Sequence, residues 1–255
     1  MTTNTLSAVS AVCLALAVGS ASAQTKPAEP DYTLAYNVGA TSDYRFRGIS
    51  QTSFDPAIQG GVDFSHKSGL YLGVWASNIK WITDYVGATK GSTEIDLYGG
   101  FKGEITKDLA FDIGLIRYQY PGNTAAAVLA NANTTEVYGA LTYGMFTAKY
   151  SRATTNFIAN PNSDGSGYFE LAANVDLGNG FSLTPRVGHQ TIPNVAGSVG
   201  NYTDYGVTLA KDFGNGLVLS VAAIGTNAKR AFYTNPPDGK NLGKSTLLVG
   251  VKYNF

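Results

Sequence analysis

The amino-acid sequence predicts an all-β fold: a transmembrane antiparallel up-and-down β-barrel of about 12 strands, with short periplasmic turns and longer extracellular loops. Three observations predict it: an alternating C-terminal strand that ends on Phe255, a composition rich in Gly and aromatic residues, and connections that are short and long in turn. Each fits strands that face lipid on one side and an aqueous lumen on the other.

The last nine residues of the chain alternate strongly. Apolar or aromatic side chains dominate one face, and small or polar side chains dominate the other, as in a membrane strand with a lipid face and a lumen face. A closing strand that ends on an aromatic carboxylate also resembles the signal read by the barrel-assembly machinery, which we therefore expect as a partner through Phe255. The apolar face contains Leu247, Val249, Val251, Tyr253 and Phe255.

The composition differs from that of an ordinary soluble domain. The chain contains 30 Gly, 16 Tyr and 12 Phe, and charged residues make up 14% of it, against roughly 25% in soluble domains. In a barrel, Gly lets strands pack closely and aromatic residues form girdles at the two membrane interfaces. Trp75 and Trp81 lie near one loop, which leaves sugar stacking open as a second interpretation. The predicted girdle consists of Tyr44, Phe46, Trp75, Trp81, Tyr253 and Phe255.

The N-terminal segment is predicted to be a signal peptide of an exported bacterial protein. Its apolar run, Leu6–Gly19, is too short to span a bilayer, and Ala21-Ser22-Ala23 has the small-x-small pattern that a signal peptidase cuts. The single cysteine, Cys13, lies in this segment, so the mature chain has no thiol chemistry. The predicted domains are a signal peptide (1–23), a flexible periplasmic lead-in (24–30) and the barrel (31–255).

After the lead-in, the sequence divides into stretches of about ten residues with period-two alternation. Tight connections rich in Gly and Asn, such as 178–180 and 214–216, alternate with long polar ones. This sorting is typical of an outer-membrane barrel with an even number of strands. The predicted strands are 31–42, 55–66, 70–79, 93–104, 109–120, 135–143, 146–154, 167–177, 181–190, 203–213, 217–227 and 245–255.

Four segments carry a resemblance to a known family. Thr41–Gln51 (TSDYRFRGISQ) resembles the signature near the mature N-terminus of the TorF family, whose members are described as porins. The likeness continues through 56–64 (PAIQGGVDF), 68–78 (SGLYLGVWASN) and 94–101 (EIDLYGGF) and is specific from residue 31 to about 120. The resemblance implies a pore-forming barrel in the outer membrane of a Gram-negative bacterium and supplies no substrate.

Asp43, Arg45 and Arg47 form the most distinctive charged group. They lie two residues apart, so in an extended strand all three point one way while Tyr44 and Phe46 point the other. One interpretation places both guanidinium groups in the lumen or its mouth, where they favour anionic or polar solutes. The other pairs them with lumen acids, which braces the wall without selecting a solute. The acids considered for that pairing are Asp63, Glu94 and Asp96.

Strand phase places further charged residues on the inner face of the predicted barrel. Pro185 interrupts the apolar face of its strand and weakens the register predicted there. The pore-lining candidates are Asp43, Arg45, Arg47, Asp63, Glu94, Asp96, Asp112, Glu170, Asp176 and Arg186.

Other classes of function find little support in the sequence. The 18 basic and 18 acidic residues give no basic excess for nucleic acid. His66 and His189 are the only histidines, and Ser166 near His189 is the one hydroxyl considered as a nucleophile, so we expect no enzyme. No ligand spacing points to a metal site, and no cofactor is expected.

The sequence thus predicts a porin-like channel for passive diffusion of small hydrophilic solutes. The alternative is a closed or plugged outer-membrane barrel with a structural, adhesive or surface-recognition role, because twelve strands leave a lumen that loops can fill. The expected surroundings are outer-membrane lipid and lipopolysaccharide, with small solutes in the lumen.

Overall fold

The computed structural model of the chain describes residues 30–84, 88, 90–123 and 130–255. The predicted signal peptide (1–23) and all of the predicted lead-in except Pro30 lie outside the described residues. No helix among the described residues is long and apolar enough to cross a membrane.

The described residues form fifteen strands, one α-helical turn and one 3₁₀ turn. In chain order they are β1 (Tyr32–Thr41), β2 (Arg45–Phe46), β3 (Ile49–Ser50), β4 (Ala57–His66), β5 (Leu70–Asn78), α1 (Trp81–Asp84), β6 (Thr93–Thr106), β7 (Leu109–Gln119), β8 (Thr134–Tyr143), β9 (Phe146–Ala153), β10 (Gly167–Ala173), β11 (Val175–Gly178), β12 (Phe181–Thr191), the 3₁₀ turn (Ala196–Ser198), β13 (Tyr202–Asp212), β14 (Leu217–Thr226) and β15 (Thr246–Asn254).

Twelve antiparallel barrel strands close into a ring, which confirms the predicted fold class. Each barrel strand pairs with its sequence neighbours, and the ring closes where β1 pairs with β15. β10 and β11 are two parts of one barrel strand, since both pair with β12. β2 and β3 pair with each other in a two-stranded hairpin that is not part of the barrel sheet. Every predicted strand coincides with an observed barrel strand to within two residues at its ends.

The gap between β10 and β11 lies opposite Pro185. The pairing on β12 runs from Gly167 opposite Thr191 to Ala172 opposite Arg186, and it resumes in the same register with Val175 opposite Leu183. Proline has no N–H to donate to the ladder, so the pairs that need that hydrogen bond are missing. The register predicted for this strand therefore holds across the proline.

We expect Pro185→Val to close this gap. The new backbone N–H can donate across to β10, and a net gain of about 0.5–1.5 kcal/mol is typical of one hydrogen bond. Hydrogen exchange in detergent should show a slowly exchanging amide at position 185. Fast exchange there would mean that the break has another cause.

Apolar side chains cover the outside of the barrel. Alternate residues of each strand are exposed, with Ile58 71% and Leu247 72% exposed, while the residues between them face the interior. A continuous apolar exterior of this kind is stable only when lipid covers it. The exposed set includes Leu72, Val74, Leu115, Val137, Leu171, Val187, Val207, Leu209, Val221 and Val249.

The two ends of the barrel differ. The end that carries the five tight turns, here called the turn end, uses positive φ at glycines such as Gly214 and Gly216. The opposite end, here called the loop end, carries the six long connections. Most fully buried side chains belong to this end, so the packed core of the protein lies in the mouth of the barrel.

Candidate functional site: the mouth of the barrel

The connection between β1 and β4, residues 42–56 and here called the first loop, contains the β2–β3 hairpin. Arg47 and Gly48 form its two-residue turn, with φ values of 47° and 81°. Positive φ at both central residues is the requirement of a type I′ turn, which explains Gly at the second position. A Cβ on Gly48 would also lie 2.6 Å from Thr226 Cγ2 and 2.8 Å from Asp204 Cβ. The tip of the hairpin is therefore seated against β13 and β14.

Arg47, at this tip, is held by the barrel wall. Its guanidinium donates to both oxygens of Glu136, at 3.0 and 2.6 Å, and to Oε1 of Gln190 at 2.8 Å. Its Cζ lies 4.3 Å from the ring centroid of Tyr168 and 5.6 Å from that of Phe157. Burial lowers the pKa of Arg47, but the Glu136 carboxylate outweighs burial and the pKa is raised. The arginine is thus a permanently charged anchor.

These contacts show that the first loop crosses the lumen. Glu136 is on β8, four strands round the ring from β4, and Gln190 is on β12, four strands round the ring from β1 in the other direction. β1 and β4 are the strands that the first loop connects. Arg47 therefore reaches from one wall of the mouth to the wall opposite.

The part of the first loop that precedes the Arg47–Gly48 turn is also held by polar contacts. Arg45 Nε lies 2.6 Å from Asp43 Oδ2, and Arg45 Nη1 donates to the carbonyl groups of Leu242 and Lys244 in the last loop. Burial lowers the pKa of Arg45, while the Asp43 carboxylate acts in the opposite direction. The first loop is thereby tied to the connection between β14 and β15.

Tyr44 links the first loop to a third part of the wall. Its hydroxyl donates to Glu94 Oε1 at 2.8 Å, and its ring packs edge-on against Trp75, with 5.4 Å between centroids. Burial raises the pKa of Tyr44 well above its ordinary value, so the phenol stays protonated and remains a donor. The first loop therefore touches the wall at β5, β6, β8, β10, β12, β13 and β14.

The other loops pack above the first loop and leave a small pocket of about 90 Å³. Its walls are mainly aromatic and aliphatic, with Trp81 on one side and Phe157 and Tyr233 on another. The remaining lining residues are Phe46, Ile49, Ser50, Gln51, Ile158, Asn160, Ile192, Tyr202, Phe232 and Leu242. The mouth thus presents an apolar depression above a polar layer.

Tyrosines lie across glycines of the neighbouring strand on the lumen wall below the first loop. A Cβ on Gly100 would meet the Tyr71 hydroxyl, a Cβ on Gly73 would meet the Tyr98 ring, and one on Gly114 would meet the Tyr138 hydroxyl. Each glycine gives the space that an aromatic ring needs to lie flat on a curved sheet. This packing of tyrosine rings over glycines explains part of the high content of both residues in the chain.

The hydroxyls of these tyrosines bind lumen acids. Tyr98 donates to Asp63 and Tyr71 donates to Asp112, both at 2.5 Å, and Tyr71 also hydrogen-bonds Tyr138. Two lysines, Lys102 and Lys149, place their ammonium groups over the rings of Tyr71 and Tyr138. This part of the wall therefore carries both signs of charge beside aromatic faces.

Arg186 organises the wall on the other side of the lumen. Its Nη1 lies 2.6 Å from Asp204 Oδ1 and 3.2 Å from Glu170 Oε2. The Tyr168 hydroxyl donates to Asp204 Oδ2 at 2.9 Å. Charges on this wall are therefore paired with one another.

The predicted pore-lining residues fall into three groups. Asp43, Arg45 and Arg47 lie in the first loop, inside the mouth, and their arginines take Asp43 and Glu136 as partners. Arg47 is thus paired with a wall acid, Glu136, that was not among those considered from the sequence, whereas Arg45 is paired within the first loop. Asp176 lies at the turn end, where its carboxylate accepts from the Gly178 N–H. The remaining six lie on the wall strands, with Asp96 on β6 opposite Trp75; they are Asp63, Glu94, Asp96, Asp112, Glu170 and Arg186.

Two expectations about this region differ from the structure. The alternation of residues 43–47 does not continue as an extended strand, because the Arg47–Gly48 turn folds the chain back into the lumen. Four residues predicted for the aromatic girdle pack inside the mouth, since the first loop brings them against other side chains. Those four are Tyr44, Phe46, Trp75 and Trp81. Tyr253 and Phe255 are 40% and 68% exposed, on the outer surface near the turn end.

Both histidines hydrogen-bond hydroxyl groups of nearby side chains. His66 Nδ1 bonds Ser68 Oγ beside a tight turn. His189 Nδ1 bonds Thr203 Oγ1, while the Ser166 hydroxyl donates to the carbonyl of Ser163. Among the described residues, no group of three or more His, Cys, Asp or Glu is placed to hold a metal ion.

A family profile described as "Bacterial protein of unknown function (Gcw_chp)" matches residues 24–255. The chain belongs to this family. A comparison with curated protein sequences gives no match.

Solved structures of outer-membrane porins share the fold. KdgM porin, in a structure titled as a complex with disordered oligogalacturonate, superposes with a TM-score of 0.54 at 6% identity, covering 87% of this chain and 98% of that chain. NanC porin gives a TM-score of 0.53 at 8% identity and covers 87% of this chain and 99% of its own. At such identities the likeness concerns the fold.

Proposed function

We propose that this protein is an outer-membrane channel for passive diffusion of small hydrophilic solutes, with a mouth narrowed by its first loop. The observation that carries the proposal is the combination of a lipid-compatible exterior with a polar, charged lumen wall. A membrane barrel with no passage needs no polar interior beyond what its own packing satisfies. The porin fold of the similar structures supports the same function.

The proposed channel function includes export of the chain and its insertion into the outer membrane. The chain is exported through a signal peptide cleaved after Ala23, and the family match begins at the next residue, which supports that site. The barrel-assembly machinery inserts it through the strand that ends on Phe255, with the loop end facing outward toward lipopolysaccharide. The resemblance of residues 31 to about 120 to the TorF porins supports the same assignment, and we propose no enzymatic activity.

Single-channel recording of the refolded mature protein in a planar bilayer tests the function. We expect reproducible current steps that are smaller than those of wider barrels, because the first loop occupies the mouth. Folding is verified separately by heat-modifiable migration in detergent gels and by a β-rich circular dichroism spectrum. Folded protein that gives no steps at any voltage would contradict the open channel.

One observation favours a second candidate, the plugged barrel. The first loop is held by polar contacts to β6, β8, β12 and the last loop, which is more than a flexible constriction needs. In that case its outer surface, with the apolar pocket, would serve adhesion or surface recognition. Absence of current from the native chain, together with current from a variant whose first loop is released, would identify this case.

A further inference from the structure

Two acids on the lumen face of β6, Glu94 and Asp96, lie directly beneath the first loop. Glu94 is 0% exposed and Asp96 is 8% exposed. Tyr44 of the first loop donates to Glu94 Oε1, and Asp96 follows one step nearer to the lumen centre along the same face. The pair therefore lies at the level where the first loop narrows the passage.

The other buried acids of the described residues have arginine partners, and these two do not. Asp43 is paired with Arg45, Glu136 with Arg47, and Asp204 with Arg186. The guanidinium of Arg47 is bound to both carboxylate oxygens of Glu136. Glu94 and Asp96 therefore leave two buried acids without a cation.

The atoms themselves show where a ligand would bind. Glu94 Oε2 and Asp96 Oδ1 are buried and have no hydrogen-bond partner among the described residues. An ionised carboxylate only accepts hydrogen bonds, so each of these groups requires donors or a cation, and without either it takes up a proton. A buried carboxylate without either is strongly unfavourable. An ion with N–H donors satisfies both requirements at once.

We propose that Glu94 and Asp96 form a binding site for a small monovalent cation of the ammonium type, and that this site makes the passage cation-selective. The selectivity rests on the proposed channel function, whereas the binding site does not. Fixed acids at a narrow point raise the local concentration of cations and exclude anions. The two arginines of the first loop reduce this preference for cations only slightly, because their charges are neutralised by Asp43 and Glu136.

The two tryptophans of the chain lie beside the pair and report on it. Trp75 is opposite Asp96 in the β5–β6 register and packs against Tyr44. Trp81 packs edge-on against Tyr120, at 5.1 Å between centroids, and Tyr120 lies beside Glu94. Binding of a cation should therefore change the intrinsic fluorescence.

The binding test is a fluorescence titration of the refolded protein in detergent with methylammonium chloride. We expect a saturable change that tetraethylammonium chloride, which has no N–H donor, does not reproduce at equal ionic strength. Glu94→Gln and Asp96→Asn should each weaken binding by about tenfold, as loss of a charge-assisted contact predicts. Asp31→Asn is the control, because Asp31 is an exposed acid at the turn end, away from the pair, and its carboxylate is paired with Lys67. Equal titrations in all four proteins would overturn the site.

The selectivity test is the reversal potential across a KCl gradient. We expect the native channel to favour K⁺, and Asp96→Asn to lower the cation-to-anion ratio about threefold, with Asp31→Asn close to native. Saturable binding without current would refute the channel and keep the site. Current with an unchanged ratio and no saturable binding would refute the site and keep the channel. Asp96→Asn keeps the size of the side chain and removes a buried acid that has no cation partner among the described residues, so it should fold at least as well as the native chain.

Discussion

Replacing Arg47 by Met should release the first loop and raise the single-channel conductance several-fold. The substitution removes three hydrogen bonds to the far wall and leaves the buried carboxylate of Glu136 without its cation. Breaking a buried pair in this way costs about 3–5 kcal/mol. Because the barrel ladder does not depend on Arg47, the loop should detach while the barrel stays folded.

Conductance and heat-modifiable migration measured on the same preparation check this expectation. Arg117→Met is the matched control: Arg117 also lies near the loop end, but it bonds Thr135 and does not touch the first loop. The double variant Arg47→Met with Glu136→Gln should regain stability and keep the high conductance, because it removes the unpaired charge without restoring the anchor. Native conductance in Arg47→Met would show that the loop is held by its other contacts alone.

The barrel itself could be predicted from the sequence because its determinants are local. Period-two alternation sets the two faces of each strand, and the Gly- and Asn-rich turns set the register of each hairpin. Pro185 shows how strongly the register is determined: one missing N–H interrupts the ladder, and the register on either side of the gap is the same. Twelve strands at the expected positions follow from these rules alone.

The first loop could not be predicted in the same way, because its determinants are distant in sequence. Arg47 finds Glu136 and Gln190, which are 89 and 143 residues away along the chain. No local pattern relates those positions. One signal was available: Arg47-Gly48 between Arg45-Phe46 and Ile49-Ser50 fits a two-residue hairpin, which would have turned the chain back at Arg47.

The interior tyrosines were missed for a different reason. Abundance of aromatic residues was taken as evidence for interfacial girdles, whereas strand phase already placed Tyr71 and Trp75 opposite to Leu70, Leu72 and Val74. Those three are the exposed apolar residues of β5. Phase is the better guide because a one-residue shift changes the face, and composition carries no information on face. The lumen residues not predicted are Tyr71, Tyr98, Lys102, Glu136, Tyr138, Lys149, Tyr168, Gln190 and Asp204.

Val207→Arg should block assembly of the barrel, whereas Thr208→Arg, one residue further, should be tolerated. Val207 is 39% exposed on the outer face of β13, opposite Pro185 and Ala223. An arginine facing lipid near the midplane costs about 2–4 kcal/mol. Thr208 faces the lumen between the short side chains of Thr184 and Ala222, so an added arginine points away from lipid.

The comparison is decided by folding into lipid vesicles, measured as the folded fraction on heat-modifiable gels over a urea series. If the urea concentration at half-folding is lowered only for Val207→Arg, lipid covers the apolar exterior, because the two variants share the same strand and the same added charge. If both variants folded equally, the outer face would not be in contact with hydrocarbon. If Thr208→Arg were the worse one, the interior would be dry, and a passage through the lumen would be untenable however the first loop is held.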